Sequence, residues 1–324
     1  MIFVQTPFRM SFLGGGTDMP DYYKEYGGSV LSTTFDKYCY HTIKYFPPFF
    51  EYKNKLVYSK IEKFNDIEEL EHPAVREAMK FLNIENIHIT YDADLPARSG
   101  LGTSSSFAVG LLNGLHMLKG EKLSKMQLAE EAIYLERILC REAGGVQDQL
   151  AVAHGGFNKY IFTSKGIEVI PIKFQEGKKE ILEENLMLFF TGFTRFSSGI
   201  IQEQLKNTKS KLQELREMNE LVKIGEQILT QDNSLDKFGE LLDYTWQLKK
   251  SLSKSISNNE IDEIYRNAKQ AGAIGGKLLG AGGGGFILLY VPKENQEKVK
   301  NKLKNFLYIP FKFENEGTKI LYKK

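Results

Sequence analysis

The sequence predicts a fold that mixes strands and helices in two halves, and three observations lead to this prediction. Residues 87–118 show the pattern of a strand, a Gly/Ser loop and a helix in direct succession. Strand-like segments dominate the rest of the first half, whereas long segments of helical periodicity dominate the second half. A charged run at 176–184 is the best candidate for the junction between the halves.

The central unit is defined by a change of periodicity. Apolar and polar residues alternate from Ile87 to Asp92, which is the period of a half-buried strand. From Phe107 to Leu118 apolar residues recur at spacings of four, four and three, which places them on one helical face. The segment between them, Leu95 to Ser106, is rich in glycine and serine and should be a loop.

This loop has the chemistry of an anion site. Small residues let the backbone approach a ligand, and the first turn of a helix presents free N–H groups and the positive end of its dipole. The hydroxyl groups at that turn add hydrogen-bond donors and oxygen ligands for Mg²⁺. Polyphosphate is the favoured ligand, and a simple turn with a serine N-cap is the alternative.

Composition argues against several classes of function. The chain has 324 residues, 42% hydrophobic and 26% charged, as in ordinary globular proteins. Its net charge of +2 gives no reason to expect a nucleic-acid or membrane surface. Two cysteines, Cys39 and Cys140, are too few for a disulfide framework and indicate a reducing compartment. With no signal-peptide pattern and no long apolar run, we expect a soluble cytoplasmic protein.

Elements before the central unit are predicted from the alternation of apolar and polar residues and from the positions of proline and glycine. A short strand from Ile2 to Thr6 should end at Pro7, and the glycines at 14–16 should form a turn. A strand is predicted over 39–45, an aromatic-rich hairpin over 49–60 and a helix over 68–82.

Elements after the central unit begin with a helix at a capping box. Ser124 and Gln127 have the required spacing, and the helix should run to about residue 142 before Gly144 and Gly145 stop it. Further predicted elements are strands at 158–162, 167–172 and 186–190, helices at 197–229, 234–250 and around 261–268, a strand at 286–291, and a lysine-rich helix at 293–307 followed by terminal strands.

Two more glycine-rich segments accompany the central loop. One is PFRMSFLGGGTD, from Pro7 to Asp18, and the other is KLLGAGGGGF, from Lys277 to Phe286. Three such segments in this order resemble the galactokinase, homoserine kinase, mevalonate kinase and phosphomevalonate kinase superfamily, the GHMP kinases. The resemblance spans essentially the whole chain, and the N-terminal motif is most similar to that of the D-glycero-D-manno-heptose 7-phosphate kinases.

Other glycine motifs do not explain these segments. Gly280 to Gly285 fits the dinucleotide pattern G-x-G-x-x-G, but a helix is predicted before it and a strand after it, the reverse of the required order. The run at 275–277 lacks the spacer and the hydroxyl residue of a P-loop, and the protein-kinase signatures are missing. The resemblance instead implies an α+β fold of two domains: a ribosomal-protein-S5-like, ATP-binding domain over 1–180 and a ferredoxin-like domain over 181–324, with the active site between them.

The resemblance also assigns catalytic roles to residues of this chain. Asp148 would be the catalytic base, Arg9 would face the transferred phosphate, and Ser104 with Glu136 would bind Mg²⁺. Glu136 precedes Asp148 by 12 residues, the interval of galactokinase-like members. A carboxylate beside a sugar hydroxyl can orient it and take its proton. The residues expected to bind ATP are Pro96, Ser99, Gly100, Leu101, Gly102, Thr103, Ser104 and Ser105.

The acceptor would be bound by other segments. The residues expected to contact the sugar are Asp18, Gly15, Gly16 and Thr17 from the N-terminal motif, and Gly282 and Gly283 from the C-terminal loop. Arg195 and Ser197, at the start of a long predicted helix, form a second anion site, which we interpret as the site of a phosphate already on the sugar. A helix N-cap beside a surface arginine is the alternative.

The function implied by the resemblance is an ATP- and Mg²⁺-dependent kinase. It would phosphorylate the anomeric hydroxyl of D-glycero-D-manno-heptose 7-phosphate, for nucleotide-activated heptose. Alternatives are a fucokinase-like or galactokinase-like enzyme for an unphosphorylated sugar, and a non-catalytic sensor of sugar or ATP. The sensor is disfavoured because Arg9, Ser104, Glu136 and Asp148 are all present. The expected partners are ATP and a sugar phosphate, and the long C-terminal helices offer a face for a homodimer.

Overall fold

The computed structural model describes residues 1–192 and 197–324, excluding the side chains at 197, 198, 204–206 and 209. Its strands are β1 Ile2–Leu13, β2 Gly28–Tyr45, β3 Asn54–Val57, β4 Ile61–Phe64, β5 Ile87–Ala93, β6 Phe157–Thr163, β7 Gly166–Pro171, β8 Leu186–Phe190, β9 Gly275–Leu278, β10 Phe286–Tyr290, β11 Leu307–Ile309, β12 Phe313–Glu314 and β13 Lys319–Lys323. Its α-helices are α1 Pro20–Tyr26, α2 Pro73–Leu82, α3 Thr103–Lys119, α4 Lys125–Ile133, α5 Gln147–His154, α6 Lys178–Glu184, α7 Ser197–Asn207, α8 Leu212–Thr230, α9 Asp236–Leu252, α10 Asn259–Gln270 and α11 Gln296–Lys302.

The described strands form two sheets, in agreement with an α+β fold. The first has the main order β13-β1-β2-β5-β3-β4, with β12 and β6 also pairing with β2, and β7 pairing with β6. The second has the order β11-β8-β10-β9. The pairs are antiparallel except for β3 and β5, which run parallel.

β1 continues past Pro7, where the sequence predicted its end. The pairing with β2 shifts at this point, because Pro7 lies opposite Tyr38 whereas Phe8 lies opposite Phe35. Such an irregularity is where a strand tolerates the missing N–H of proline. The strand therefore extends directly to Arg9, and this extension places the arginine side chain in the site described below.

β2 begins at Gly28, well before the strand predicted at 39–45. Its early part includes Ser32, Thr33 and Thr34, which are buried although they are polar. This part pairs with β1 on one side and β6 on the other. Because its residues do not alternate between apolar and polar, the period-two pattern did not reveal it.

Other predicted elements shift in position. The hairpin expected over 49–60 is formed by β3 and β4. The helix expected from residue 68 begins at Pro73, since proline is favoured in the first turn of a helix, and Ile67–Glu69 form a separate 3₁₀ turn. The charged run at 176–184 contains α6, whose Lys178 is buried and donates to the carbonyl oxygen of Ile228 at 2.9 Å.

α3 packs closely on the first sheet, and this packing positions the glycine loop that precedes it. A Cβ added to Gly110 would lie 2.6 Å from Thr6 Oγ1, and one added to Gly114 would lie 2.5 Å from Ile43 Cδ1. The two glycines therefore allow the helix to approach β1 and β2 more closely than any side chain would permit.

The capping box predicted at Ser124 is present and begins α4. The helix predicted to reach residue 142 instead passes at Tyr134 into a π-helical turn that ends at Leu139. Such turns often occur at functional sites. Glu136 lies in this turn and is only 3% exposed.

The second half packs its helices on both sheets. The segment predicted as one helix over 197–229 is divided into α7 and α8 by a 3₁₀ turn at Thr208–Lys211. α8 contacts the first sheet closely, since a Cβ on Gly225 would lie 2.2 Å from Leu13 Cδ1. The glycine run after Leu279 joins two strands, β9 and β10, rather than a helix and a strand.

The end of the chain returns to the first sheet. β12 pairs with β2, and β13 pairs with β1. The domain boundary at residues 180 and 181 stays a prediction, and these strands extend the first sheet with residues from the second half. Within the described ranges, no helix is long and apolar enough to cross a bilayer.

His116 anchors the C-terminal end of α3. Its Nδ1 lies 2.6 Å from Glu121 Oε2 and its Nε2 lies 2.6 Å from Glu131 Oε2 on α4. Both ring nitrogens donate only when the imidazole is protonated. The hydrogen bond to Glu131 and that to Glu121 therefore raise the pKa of His116 above 6.5.

We predict that His116→Gln destabilises the protein below pH 6.5 by about 1.5 kcal/mol, the typical contribution of a hydrogen bond to a charged group. Because the folded-state pKa is raised, this contribution is complete below the unfolded pKa and is lost as pH rises through the folded pKa. Urea unfolding of both proteins between pH 5.5 and 8.5 measures the difference. His88→Gln is the control, since burial lowers the pKa of His88 and gives the opposite sign. A difference for His116→Gln that does not change with pH would contradict the prediction.

Candidate active site

A cleft of about 560 Å³ lies where the first sheet meets the second half of the chain. This volume is in the range of sites for small molecules. Its walls come from β1, the loop before α3, the start of α5, α9, β9 and the glycine loop that follows β9. All three glycine-rich segments of the sequence therefore reach one cavity.

The loop before α3 has the backbone conformation of an anion site. Gly100 and Gly102 have φ angles of 81° and 73°, a region that favours glycine, and Arg98 is also left-handed at 59°. α3 begins at Thr103, and the first-turn residues Thr103 and Ser104 line the cleft. The N–H groups of a first helical turn have no partner within the helix. Ser104 in this turn is exposed.

The loops at 99–100 and 280–285 contact each other backbone to backbone. A Cβ added to Gly100 would lie 2.4 Å from the carbonyl oxygen of Leu279, and one added to Gly280 would lie 2.4 Å from the Cα of Gly100. A Cβ on Gly285 would lie 2.2 Å from the carbonyl oxygen of Ser99. The glycines of the C-terminal loop therefore permit this close packing.

Arg9 and Asp148 form a two-pronged ion pair in the cleft. Arg9 Nε donates to Asp148 Oδ1 and Nη2 donates to Oδ2, both at 2.7 Å. Nη1 donates to the carbonyl oxygen of Gly100 at 2.8 Å. The Asp148 side chain is 23% exposed, so a ligand can still reach it. A carboxylate has about four lone-pair sites, and Arg9 uses two of those on Asp148.

Asp18 also lines the cleft, although its side chain is almost fully buried. Its Oδ1 accepts the N–H of Gly16 at 3.0 Å and its Oδ2 accepts the N–H of Gln147 at 3.2 Å. Burial, and then the negative charge of Asp148, raise the pKa of Asp18 above its usual value. A Cβ on Gly145 would lie 1.8 Å from Asp18 Oδ2, which shows how tightly this carboxyl group is enclosed.

Glu136 lies next to the first turn of α3, but it contacts Ser105 rather than Ser104. Glu136 Oε2 accepts the hydroxyl of Ser105 at 2.8 Å and the amide of Gln149, whereas its buried Oε1 has no hydrogen-bond partner among the described residues. Glu136 Oε1 is therefore available as a ligand, and the exposed hydroxyl of Ser104 is adjacent in sequence to Ser105. A carboxylate oxygen and a hydroxyl are ligands that suit Mg²⁺.

Two buried lysines in the cleft were not predicted. Lys249 of α9 is 7% exposed and Lys277 of β9 is 2% exposed. Burial and the positive charge of Arg9 lower the pKa of Lys249 to about 8. Burial, then the charges of Lys249 and Arg9, lower the pKa of Lys277 well below its usual value. In the sequence Lys249 resembles an ordinary surface lysine, and Lys277 begins the C-terminal glycine-rich segment with no pattern that assigns it a role.

The structure divides the predicted residues into two groups. Those that line the cleft are Arg9, Gly15, Gly16, Asp18, Gly100, Gly102, Thr103, Ser104, Asp148 and Gly282. Those outside its lining are Thr17, Pro96, Ser99, Leu101, Ser105, Glu136 and Gly283. Several of these support the lining residues instead.

Three of the predicted residues outside the cleft lining hold the surrounding segments in place through hydrogen bonds. The hydroxyl of Thr17 lies 2.8 Å from the carbonyl oxygens of both Gly14 and Ser29, and its one proton bonds to either of them or is shared, which fixes the N-terminal turn. The Leu101 carbonyl accepts the backbone N–H of Arg9 at 3.0 Å, and Gly283 N donates to the Ile256 carbonyl at 2.9 Å. Arg195 and the side chain of Ser197 lie outside the described residues.

Comparisons with known proteins match both parts of the chain to one family. The family models "GHMP kinases N terminal domain" and "GHMP kinases C terminal" match residues 69–156 and 226–309. The chain is 30% identical to the D-glycero-alpha-D-manno-heptose 7-phosphate kinase of Campylobacter jejuni, over 97% of each protein.

Solved structures show the same fold. A D-glycero-D-manno-heptose 1-phosphate kinase from Bacteroides thetaiotaomicron is similar with a TM-score of 0.74 and 25% identity, over 100% of both chains. Lactococcus lactis galactokinase complexed with galactose has a TM-score of 0.74 at 17% identity, over 99% of this chain and 95% of its own, which supports the fold alone. The sequence motifs, the cleft and these similarities together show that the chain belongs to the GHMP kinase family.

Proposed function

We propose that this chain transfers the γ-phosphoryl group of ATP to the anomeric hydroxyl of D-glycero-D-manno-heptose 7-phosphate, giving the 1,7-bisphosphate for nucleotide-activated heptose. Membership of the GHMP kinases makes it an ATP-dependent phosphotransferase. The observation that supports the proposal most directly is the Arg9–Asp148 ion pair beside the first turn of α3. The name of the Campylobacter jejuni relative supports the choice of acceptor.

Asp148 is proposed as the base that takes the proton of the acceptor hydroxyl. Arg9 fixes both carboxylate oxygens and leaves lone pairs on each for a substrate O–H. A Cβ on Gly102 would lie 3.5 Å from Asp148 Oδ2, so the base is adjacent to the N-terminus of α3. The guanidinium of Arg9 would also stabilise negative charge on the transferred group.

The N-terminus of α3 is proposed as the site for the ATP phosphates. Its N–H groups and dipole favour anions, and Gly100 and Gly102 allow close approach of the phosphates to the backbone. Ser104 and Glu136 would hold Mg²⁺, through the exposed hydroxyl and the unpartnered Oε1. When bound, the ion would neutralise phosphate charge during transfer.

Asp18 is proposed to orient the sugar. Two backbone N–H groups hold its carboxyl group in one position, which is how a buried acceptor of hydrogen bonds can be selective for a hydroxyl pattern. Gly15 and Gly16 line the cleft in front of it and leave space for a ring. Contacts of Gly282 with the same ligand are part of this proposal.

The acceptor can be tested with a panel of heptose 7-phosphate, free heptose, fucose, galactose and mevalonate, each with ATP and Mg²⁺. We expect ADP release only with heptose 7-phosphate, because the proposed site requires both a sugar and its distal phosphate. Turnover of a neutral sugar would support the fucokinase-like or galactokinase-like alternative. ATP binding without turnover of any acceptor would favour the sensor.

We predict that Asp148→Asn lowers kcat by about 10²- to 10⁴-fold, the usual contribution of general base catalysis, because an amide cannot accept the proton. Affinity for ADP, measured by calorimetry, should stay within about twofold of wild type. Asp232→Asn, at an exposed position, is the control and should change neither quantity. If Asp148→Asn kept more than a tenth of the wild-type kcat, Asp148 would not be the base.

Arg195→Ala tests the proposed site for the distal phosphate. We expect the KM for heptose 7-phosphate to rise about tenfold or more, since a charged hydrogen bond to the substrate is lost, while the KM for ATP stays unchanged. Steady-state kinetics with each substrate varied in turn would measure both. Equal small effects on the two KM values would contradict the assignment.

A further inference from the structure

The two buried lysines of the cleft have no role in the proposed reaction so far. Both line the cavity, and both donate to backbone carbonyl groups rather than to carboxylates. Lys277 Nζ donates to the Phe12 carbonyl at 2.8 Å, and Lys249 Nζ donates to the carbonyl oxygens of Gly280 and, at 3.5 Å, Leu278. Within residues 1–192 and 197–324, neither forms an ion pair.

The charged groups that act on Lys249 in the cleft do not form an ion pair with it in the free protein. Arg9 and Asp148 neutralise each other in their ion pair. Asp18 has a raised pKa, so its negative charge is disfavoured. Lys249 and Lys277 are thus two buried amines with no partner carboxylate among the described residues, and burial disfavours their charged forms. A bound anion would favour the ammonium form, so such a site favours binding of an anion.

Lys249 is the better placed of the two for the reacting group. Its ammonium donates to the carbonyl oxygen of Gly280. The backbone of Gly280 packs on Gly100, in the loop before α3 that we propose binds phosphate. Arg9, Asp18 and Asp148 all influence its charge electrostatically. It thus lies near the base, the sugar-binding carboxyl group and the phosphate loop together. An ammonium has three N–H donors, of which carbonyl groups occupy two, and one remains for a ligand.

We propose that Lys249 is a further catalytic residue, which donates a hydrogen bond from α9 to an oxygen of the transferred phosphoryl group. The proposal rests on phosphoryl transfer by this family and not on the identity of the sugar. Phosphoryl transfer is accelerated mainly by positioned positive charge, and Lys249 supplies that charge from the second half of the chain. Lys249 is protonated while the phosphoryl group is bound and transfers no proton, and Lys277 is held against β1 by its bond to the Phe12 carbonyl.

The lowered pKa of Lys249 is consistent with this role. The free site disfavours the ammonium, and a bound phosphoryl oxygen would favour it. The groups that face Lys249 from neighbouring segments are Arg9 on β1, Asp18 in the N-terminal turn, Asp148 on α5 and Lys277 on β9.

The test compares Lys249→Gln with Lys250→Gln. The glutamine amide at 249 can still donate to carbonyl groups but carries no charge. Lys250 is the neighbouring residue on α9 and pairs with Asp262 outside the cleft. The measurement is the affinity for ADP with Mg²⁺, with and without aluminium fluoride, which mimics the transferring phosphoryl group. Lys249→Met is the second variant if the glutamine variant does not fold.

We expect wild type and Lys250→Gln to bind ADP more tightly when aluminium fluoride is present. For Lys249→Gln, the increase in ADP affinity caused by aluminium fluoride should be at least tenfold smaller than for wild type. Its affinity for ADP without aluminium fluoride should stay within about twofold of wild type. With an active acceptor its kcat should fall about 100-fold, as when one donor to the transition state is removed.

Four results would overturn the proposal. If Lys249→Gln bound ADP with aluminium fluoride as tightly as wild type, Lys249 would not contact the transferred group. If the variant raised only the KM for the acceptor, Lys249 would contact the acceptor instead. Equal losses of ADP affinity with and without aluminium fluoride would indicate a structural role. If wild type gained nothing from aluminium fluoride, phosphoryl transfer itself would be in doubt, and the role of Lys249 with it.

Discussion

One arginine side chain connects the segments on which the site depends. Arg9 extends from β1 and bonds Asp148 at the start of α5 and the Gly100 carbonyl in the loop before α3. Its own backbone N–H bonds Leu101 of that loop. β1 must therefore continue beyond Pro7, and α3 must pack closely enough on the sheet for the loop to be reached. The register shift at Pro7 and the small residues Gly110 and Gly114 meet these two requirements.

The two halves share a buried apolar cluster that includes Leu101 and Leu279, and next to it their loops meet backbone to backbone. Gly100 and Gly280 touch with no space for a side chain, so the C-terminal loop packs directly on the loop before α3. That contact also presents the Gly280 carbonyl to Lys249. The glycine loop thus serves as a spacer between the halves and as a support for a cation, in addition to lining the cleft.

Much of this arrangement could be predicted from the sequence, but for different reasons. The strand, loop and helix at 87–118 follow from periodicity, while the roles proposed for Arg9 and Asp148 came from the family resemblance. The π-helical turn around Glu136 could not be predicted, because it changes the helical register without any distinct residue pattern. Lys249 was missed since a lysine on an amphipathic helix normally faces solvent, and its burial depends on tertiary packing.

The return of β12 and β13 to the first sheet affects how the protein is made. β1 emerges from the ribosome about 300 residues before β13, yet the two strands are neighbours in the first sheet. The first sheet therefore cannot be completed until β13 has been synthesised. Until then one edge of β1 has unpaired backbone groups, which is the kind of surface that chaperones or other nascent chains encounter. Closing such a long loop is slow, so the last strands govern when the nascent protein becomes protected.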